Sequence, residues 1–494
     1  MASVRWSANF SVPGSGKTAS VLGEYIFLQS MGKVDRIVVV CPKSAFGSWR
    51  MEWLSCFGNC PALRCFCLAD PEVSRLTQSQ RKSAIVFESG RYNLMLFNYE
   101  ALGNYVAELG GVVSDRTLLV FDEVHKVKAI NGRYASWALS VAKPAKYVTV
   151  LTGTPIPNTY RDIYNMLHIL YPDDYDSFFG FEPGLLGNPT SWEIAEVNEA
   201  LRPFFCRTNK NELGVPEPNS DDVYQLEATE TESELFNILT AAYSHNHLVF
   251  MIRALQLESD PKMLRDAIDS EDLEYVLDQV GENPTDIDFV NYSDEVPKLI
   301  DFCGKSTKMG VCEDLVTRLV NQGKPVIVWC IFVRSINNVV TNLNRMGIPA
   351  QAIYGATPQE VREEILEDFR MGLFKVLVTN PHTLAESVSL HQVCHDGVYF
   401  EYSYNLVHLL QSKDRIHRLG LPQGQYTQYH FLQTFFETRV GEFSLDEKIY
   451  NRLLEKEEAM LEAIDGDYLE SGYLDEEDIE IVLGELFESS DAEL

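Results

Sequence analysis

"SVPGSGKT" at residues 11–18 decides the fold. Small residues let successive backbone N–H groups turn inward around a phosphate chain, and Gly14, Ser15 and Gly16, behind Pro13, supply that freedom. Lys17 brings positive charge to the β- and γ-phosphates, and the Thr18 hydroxyl is placed to ligate Mg2+. A helix is expected next, with its N-terminal dipole facing the anion. Val21, Leu22, Tyr25 and Ile26 recur at helical spacing, and Gly32 is a stop signal. The general pattern G-x-x-x-x-G-K-[ST] opens on Gly, whereas Ser11 stands there in this chain. A functionless glycine-rich turn would share these residues, so the surroundings must decide.

Those surroundings alternate short β-branched runs with helical periodicity. "IVVVC" (37–41), "LMLFN" (94–98), "TLLVF" (117–121) and "YVTVL" (147–151) read as buried parallel strands, which predicts a doubly wound α/β domain. From about 222 to 300 the chain is polar, acidic and helical, without strand alternation, and reads as an insertion or linker. The first pattern then returns in "VIVWC" (326–330), "AQAIY" (350–354), "KVLVT" (375–379), "GVYFE" (397–401) and "TQYHFL" (427–432), a second α/β domain without a phosphate loop. The expected organisation is a first lobe over 1–215, a helical insertion over 216–300, a second lobe over 301–440 and an acidic helical tail over 441–494.

Composition sets limits. The chain has 494 residues and a net charge of −31, which excludes a globally basic nucleic-acid binder. Residues 455–494 hold 16 acidic residues and one basic, leaving −16 for the remainder, so any nucleic-acid site is a local basic track. Within the tail, Ile479, Val482, Leu483 and Leu486 form an apolar stripe, read either as part of a solvated tail or as a partner-binding or DNA-mimicking helix. No apolar run reaches the length of a membrane span and no secretory signal opens the chain, so the expectation is an intracellular protein, cytoplasmic if prokaryotic or phage-encoded, with no membrane partner. Ten Cys without a C-x-x-C read as reduced thiols. Cys56, Cys60, Cys65 and Cys67 lie close together, but their spacing matches no common zinc pattern.

Three further stretches carry chemistry. "FDEVH" (121–125) closes a predicted strand, where α/β sheets bind ligands; Asp122 is placed to hold Mg2+ through water and Glu123 to activate the attacking water. "LTGTP" (151–155) follows the next strand, where Thr152 and Thr154 either couple the metal site to the second domain or mark a plain strand-to-turn transition. In "QSKDRIHRLG" (411–420), a helix would put Gln411, Arg415 and Arg418 on one face, a set that suits triphosphate recognition and an arginine finger.

The ordered series "SVPGSGKT", "VVVCPKSAFGSWRMEW", "LMLFNYEAL", "FDEVHKVK", "LTGTPIPNTYRDIYNML", "LRPFFCRTNK", "YGATPQEVREEILEDF" and "QSKDRIHRLG" resembles the Swi/Snf-type DNA-dependent ATPases of helicase superfamily two, over about residues 8–455. The resemblance implies two RecA-like lobes with ATP between them, and tracking along double-stranded DNA through sequence-independent backbone contacts. It places Lys17 and Thr18 on phosphate and Mg2+, makes Asp122 and Glu123 the hydrolytic pair, and brings Arg415 and Arg418 in from the second lobe. Pro42, Lys43, Tyr99 and the "SVSL" stretch (387–390), with Ser387 and Ser389, fall where the family contacts DNA or links DNA to ATP. The chain departs from the family in the acidity of its body and in two places. "NPHTLAESVSL" (380–390) replaces a glycine-rich segment, which puts lobe-to-DNA coupling there in doubt, and no adenine-reading aromatic and Gln precede Ser11.

The expectation is an ATP-driven double-stranded DNA translocase that is N-terminally short, either a truncated gene product or a chain whose missing segment a protein partner supplies, with any nuclease also coming from a partner. The alternatives are a helicase subunit of a bacterial or phage defence or restriction system, and a nucleotide-binding switch or scaffold with little turnover.

Overall fold

The computed structural model describes residues 5–156, 160–187, 189–208, 212–268, 289, 292–384, 388–403, 405–422, 424–439, 441–465, 482–484 and 486–487. The chain divides into two compact units, centred on Met1–Val215 and on Pro216–Glu457.

The first unit carries seven strands: β1 (Trp6–Asn9), β2 (Arg36–Val40), β3 (Cys65–Cys67), β4 (Leu94–Phe97), β5 (Thr117–Asp122), β6 (Tyr147–Leu151) and β7 (Phe205–Cys206). They pair in the order β3-β4-β2-β5-β6-β1-β7, and every pairing is parallel. A parallel sheet is covered on both faces, which is why all six residues of "TLLVFD" are buried rather than every second one. One face packs Val38, Val40, Phe121 and Val150 into one core; the other packs Ile37, Val39, Val120 and Leu151 against Val21, Leu22, Tyr25 and Leu28 of α1 (Lys17–Ser30). The order β5-β6-β1 sets the carboxyl ends of these three strands side by side, and the phosphate loop, the "FDEVH" segment and the "LTGTP" turn leave from those ends.

The second unit has β8 (Asp222–Glu227), β9 (Val326–Trp329), β10 (Ala350–Ile353), β11 (Val376–Thr379), β12 (Asp396–Tyr399), β13 (Gln428–Thr438) and β14 (Gly441–Phe443). The order is β10-β11-β9-β12-β13-β14, with β8 also on β13; all pairings are parallel except β13 with β14. Both units are thus doubly wound α/β lobes, as the strand runs predicted.

Two expectations change. The stretch 222–300 was expected to be wholly helical, yet it begins with β8, and its helices Glu230–Ala242 and His247–Ser259 bury Leu235, Phe236, Phe250 and Leu255 in one core with Trp329 and Phe431 of the second sheet. The acidic end is not wholly solvated: Val482, Leu483, Leu486 and Phe487 are buried in that same core, and Phe487 stacks on His247 at 4.4 Å. Ile479, the remaining member of the expected stripe, lies outside the described residues. The helix Leu445–Asp465 is anchored by an enclosed ion cluster, in which Lys308, fully buried, donates to both oxygens of Asp446 at 2.7 Å and to Glu258 at 3.3 Å. All ten Cys are free thiols. Among the described residues, none of the helices is long and apolar enough to cross a membrane.

Candidate nucleotide site

The phosphate loop joins the end of β1 to α1, the strand-turn-helix context that the motif requires. Gly16 is the N-cap of α1 with φ +83°, in the left-handed region that favours glycine, and no side chain caps the helix. The first-turn N–H groups of a 14-residue helix therefore remain available to an anion. Lys17 Nζ donates to the carbonyls of Ser11 (3.0 Å) and Val12 (3.2 Å), which holds the ammonium over the loop. Ser11, the departure from the motif, is buried, and its N–H donates to Asn9 Oδ1 at 3.0 Å, so the residue keeps the loop's entry fixed although it is not Gly. Ser15 Oγ is buried without a hydrogen-bond partner among the described residues. Open helix N–H groups, an unpartnered hydroxyl and a lysine aimed over them suit a phosphate chain. Gly153 of "LTGTP" permits this packing, since a Cβ there would lie 2.7 Å from Pro13 Cδ.

Asp122 and Glu123 stand at the end of β5. Asp122 is buried, and it is held from three sides: Trp49 Nε1 donates to Oδ2 (3.0 Å), the Glu123 N–H to Oδ1 (3.0 Å), and the Tyr99 hydroxyl to its carbonyl (2.8 Å). Each carboxylate oxygen keeps a second lone pair, so the group can still hold a metal-bound water. Glu123 has φ +49°, an uncommon conformation for a side chain of its size, and such strain gathers at functional positions. His125 Nδ1 lies 3.3 Å from Glu123 Oε2 and 3.0 Å from Thr152 Oγ1. The Thr152 hydroxyl donates to the Thr154 carbonyl (3.2 Å) and accepts the Thr154 N–H (3.1 Å), so the Nδ1 proton points at both Glu123 and Thr152. Burial and the Glu123 charge push the Asp122 carboxyl up. For Glu123, burial is outweighed by the His125 hydrogen bond and by the charges of His125, Lys17 and Lys126, which pull it down.

The remaining first-unit candidates separate. Thr18 is the second residue of α1. Lys43 is exposed in a 3-10 turn that Pro42 opens. Tyr99 is fully buried, so it cannot touch a DNA backbone and acts, if at all, by fixing Asp122. Thr152 and Thr154 are buried and bonded to each other, and Thr152 also bonds His125. Trp49, His125 and Asn9 were not singled out by motif reading. Trp49 and His125 do lie inside two of the quoted motif segments, "VVVCPKSAFGSWRMEW" and "FDEVHKVK".

In the second unit, the expected helix over 411–420 is corrected. The helix Leu406–Lys413 ends before both arginines, with Asp414 as its C-cap. Arg415 and Arg418 are therefore not brought together by helical spacing. Arg415 is buried, with Nε on the Gln411 carbonyl (2.8 Å) and Nη1 on the Val388 carbonyl (3.0 Å). Arg418 is half-buried; its carbonyl accepts the Leu421 N–H (3.3 Å), and its guanidinium makes no hydrogen bond or ion pair among the described residues. Ser389 bonds His391, whereas Ser387 lies outside the described residues.

The family described as "SNF2-related domain" matches residues 13–268, and "Helicase conserved C-terminal domain" matches residues 307–420. The chain is similar to "ATP-dependent helicase fft1" of Schizosaccharomyces pombe (24% identity over 456 residues, 82% of this chain and 46% of that protein). It is also similar to human "Chromodomain-helicase-DNA-binding protein 1" (22% identity over 414 residues, 82% of this chain and 23% of that protein). The chain thus spans less than half the length of these relatives. A solved structure, "Sulfolobus solfataricus SWI2/SNF2 ATPase core in complex with dsDNA", covers 97% of this chain and 92% of its own at 17% identity, with a TM-score of 0.37.

Proposed function

This chain belongs to the SNF2-related family, and from that premise we propose that it is an ATP-hydrolysing motor that tracks along double-stranded DNA. The observation that carries the reading is the array at the ends of β1, β5 and β6: an uncapped α1 N-terminus under Lys17, beside Asp122 and a Glu123 oriented by His125. Bound ATP and Mg2+ would supply the phosphoanhydride bond and the charge that polarises it. The backbone N–H groups of Gly16, Lys17 and Thr18 and the Lys17 ammonium bind the phosphates, and Thr18 and Asp122 are the groups that would hold Mg2+. Glu123, kept anionic by His125, accepts the proton of the attacking water. Arg418, with no fixed partner in its own unit, provides charge to the γ-phosphoryl in the transition state, where a finger stabilises more than the ground state. Exposed Lys43 suits a sequence-independent phosphate contact.

The test is phosphate release from ATP with and without double-stranded DNA, in the parent, Lys17→Ala and Glu123→Gln. The expected result is DNA-stimulated turnover in the parent and a loss of about 10²–10³ in each variant, with ATP still bound by Glu123→Gln. Turnover that ignores DNA, or a Glu123→Gln protein running at the parent rate, refutes the reading; ATP binding without turnover in the parent favours a nucleotide switch.

A further inference from the structure

The segment after the atypical 380–387 run is fastened to the arginine stretch at several points. The Leu390 N–H donates to the Arg415 carbonyl at 2.9 Å, and Arg415 Nη1 returns a bond to the Val388 carbonyl at 3.0 Å. Between them, His391 is only 7% exposed, and its Nδ1 is 2.6 Å from Ser389 Oγ. Its other nitrogen, Nε2, abuts Gly420, where a Cβ would come within 3.2 Å. Gly420 has φ +98°, so both the backbone and the ring disfavour any side chain there.

Arg418 lies two residues before that contact, so the imidazole of His391 packs against the turn that carries it. No ion pair among the described residues fixes Arg418, so the position of its guanidinium depends on the turn that carries it. The ring is also close enough to feel the arginine's charge. Burial first, then Arg418 and His395, depress the proton affinity of His391, and Asp414 opposes them. A neutral ring leaves Arg418 undisturbed, whereas a protonated one would repel it.

We propose that His391, anchored by Ser389 and seated on Gly420, is a positioning residue for Arg418. Arg415 is then the internal brace of the same device. Its guanidinium ties 388–391 to 411–415 and is not a second finger. The proposal rests on the reading of Arg418 as the transition-state charge.

The test uses the full chain with ATP and double-stranded DNA. His391→Ala should lower kcat at least about tenfold, since small displacements of a catalytic group cost up to about 10²-fold, with the ATP Kd unchanged and the protein folded by thermal denaturation. His391→Gln, which keeps a neutral hydrogen-bonding side chain for Ser389, should restore most of kcat. It should also abolish the loss of turnover expected of the parent on acidification below the ordinary histidine range. A second arm needs no turnover: with 13C-labelled histidine, the NMR titration midpoint of His391 should rise in Arg418→Ala, because a neighbouring positive charge has been removed. An unchanged kcat in folded His391→Ala, or a midpoint indifferent to Arg418→Ala, overturns the proposal. A parent without any turnover refutes the motor reading instead and leaves the NMR arm to decide the contact between His391 and Arg418.

Discussion

Glu24 sits two turns along α1 from Lys17 and is 5% exposed. Its one mapped polar contact is a short chain under the phosphate loop: Thr149 Oγ1 donates to Glu24 Oε2 at 3.0 Å, and Ser7 Oγ lies 2.9 Å from Thr149 Oγ1. Burial raises the carboxyl from 4.5 to about 7, with the Thr149 hydrogen bond offsetting only part of the shift. Below about pH 4.5 the group is protonated in both folded and unfolded chains and costs nothing. Between about pH 4.5 and 7 the folded state binds more protons than the unfolded one, so stability falls as pH rises. Above about pH 7 the group is ionised in both states, and folding must bury a carboxylate. A rise of about 2.5 units at about 1.36 kcal/mol each amounts to a little over 3 kcal/mol. Glu24→Gln keeps an oxygen to accept from Thr149 and never ionises. Its stability relative to the parent should be near zero at pH 4.5 and reach about +3 kcal/mol above pH 7. For a unit of this size that is a rise of about 6–12 °C in the melting temperature of the first unit. Calorimetric scans of parent and variant at pH 5 and pH 8 measure it, and taking the difference cancels every other titrating group. An advantage that is the same at both pH values, or one larger at pH 5, would show that Glu24 is not the buried proton-binding group described here.

Three other outcomes are expected. Trp49→Phe removes the donor on Asp122 Oδ2; it should cost about 1.5–3 kcal/mol in urea unfolding and raise the Mg2+ concentration for half-maximal turnover, and an unchanged metal dependence would show that Asp122 is not fixed through Trp49. Gly153→Ala places a Cβ 2.7 Å from the stiff Pro13 ring, an overpacking of about 1–3 kcal/mol that should fall on the phosphate loop and weaken ATP binding about tenfold by fluorescent-analogue titration; parent-like affinity would mean that the loop relaxes freely. Leu483→Ala should cost about 2–5 kcal/mol in the second unit if the acidic end is docked as described, and a melting temperature equal to the parent's would return that segment to solvent.

Local spacing was enough for much of this protein. Runs such as "TLLVF" and "KVLVT" are apolar at every position because parallel strands are covered on both faces, so both sheets were legible without coordinates. The phosphate loop was legible too, because its demands, small residues followed by Lys and Thr at a helix start, are met by neighbours in sequence. The stretch 411–420 failed for the converse reason. Helical spacing could be written through it, but Asp414 caps the helix and Arg415 turns its guanidinium back onto the Gln411 and Val388 carbonyls, a choice made by packing rather than by period. The apolar stripe of the acidic end was visible, but whether it meets solvent or a core depended on a groove formed by residues some 240 positions earlier, around His247 and Phe250.

By itself, then, the sequence determined the two parallel-sheet lobes through periodicity within single elements, and its motifs picked out Lys17 at the start of α1 and Asp122 and Glu123 at the end of β5. Only the tertiary structure decided what surrounds them. Trp49 reaches Asp122 from 73 residues away and Tyr99 from 23, His125 meets Thr152 across 27, and Ser7 and Thr149 close over Glu24. These partners meet because β4, β2, β5, β6 and β1 lie side by side in the sheet although β1 is first in the chain. Strand order is set by the burial of whole faces, a property of the assembled sheet that no local spacing encodes.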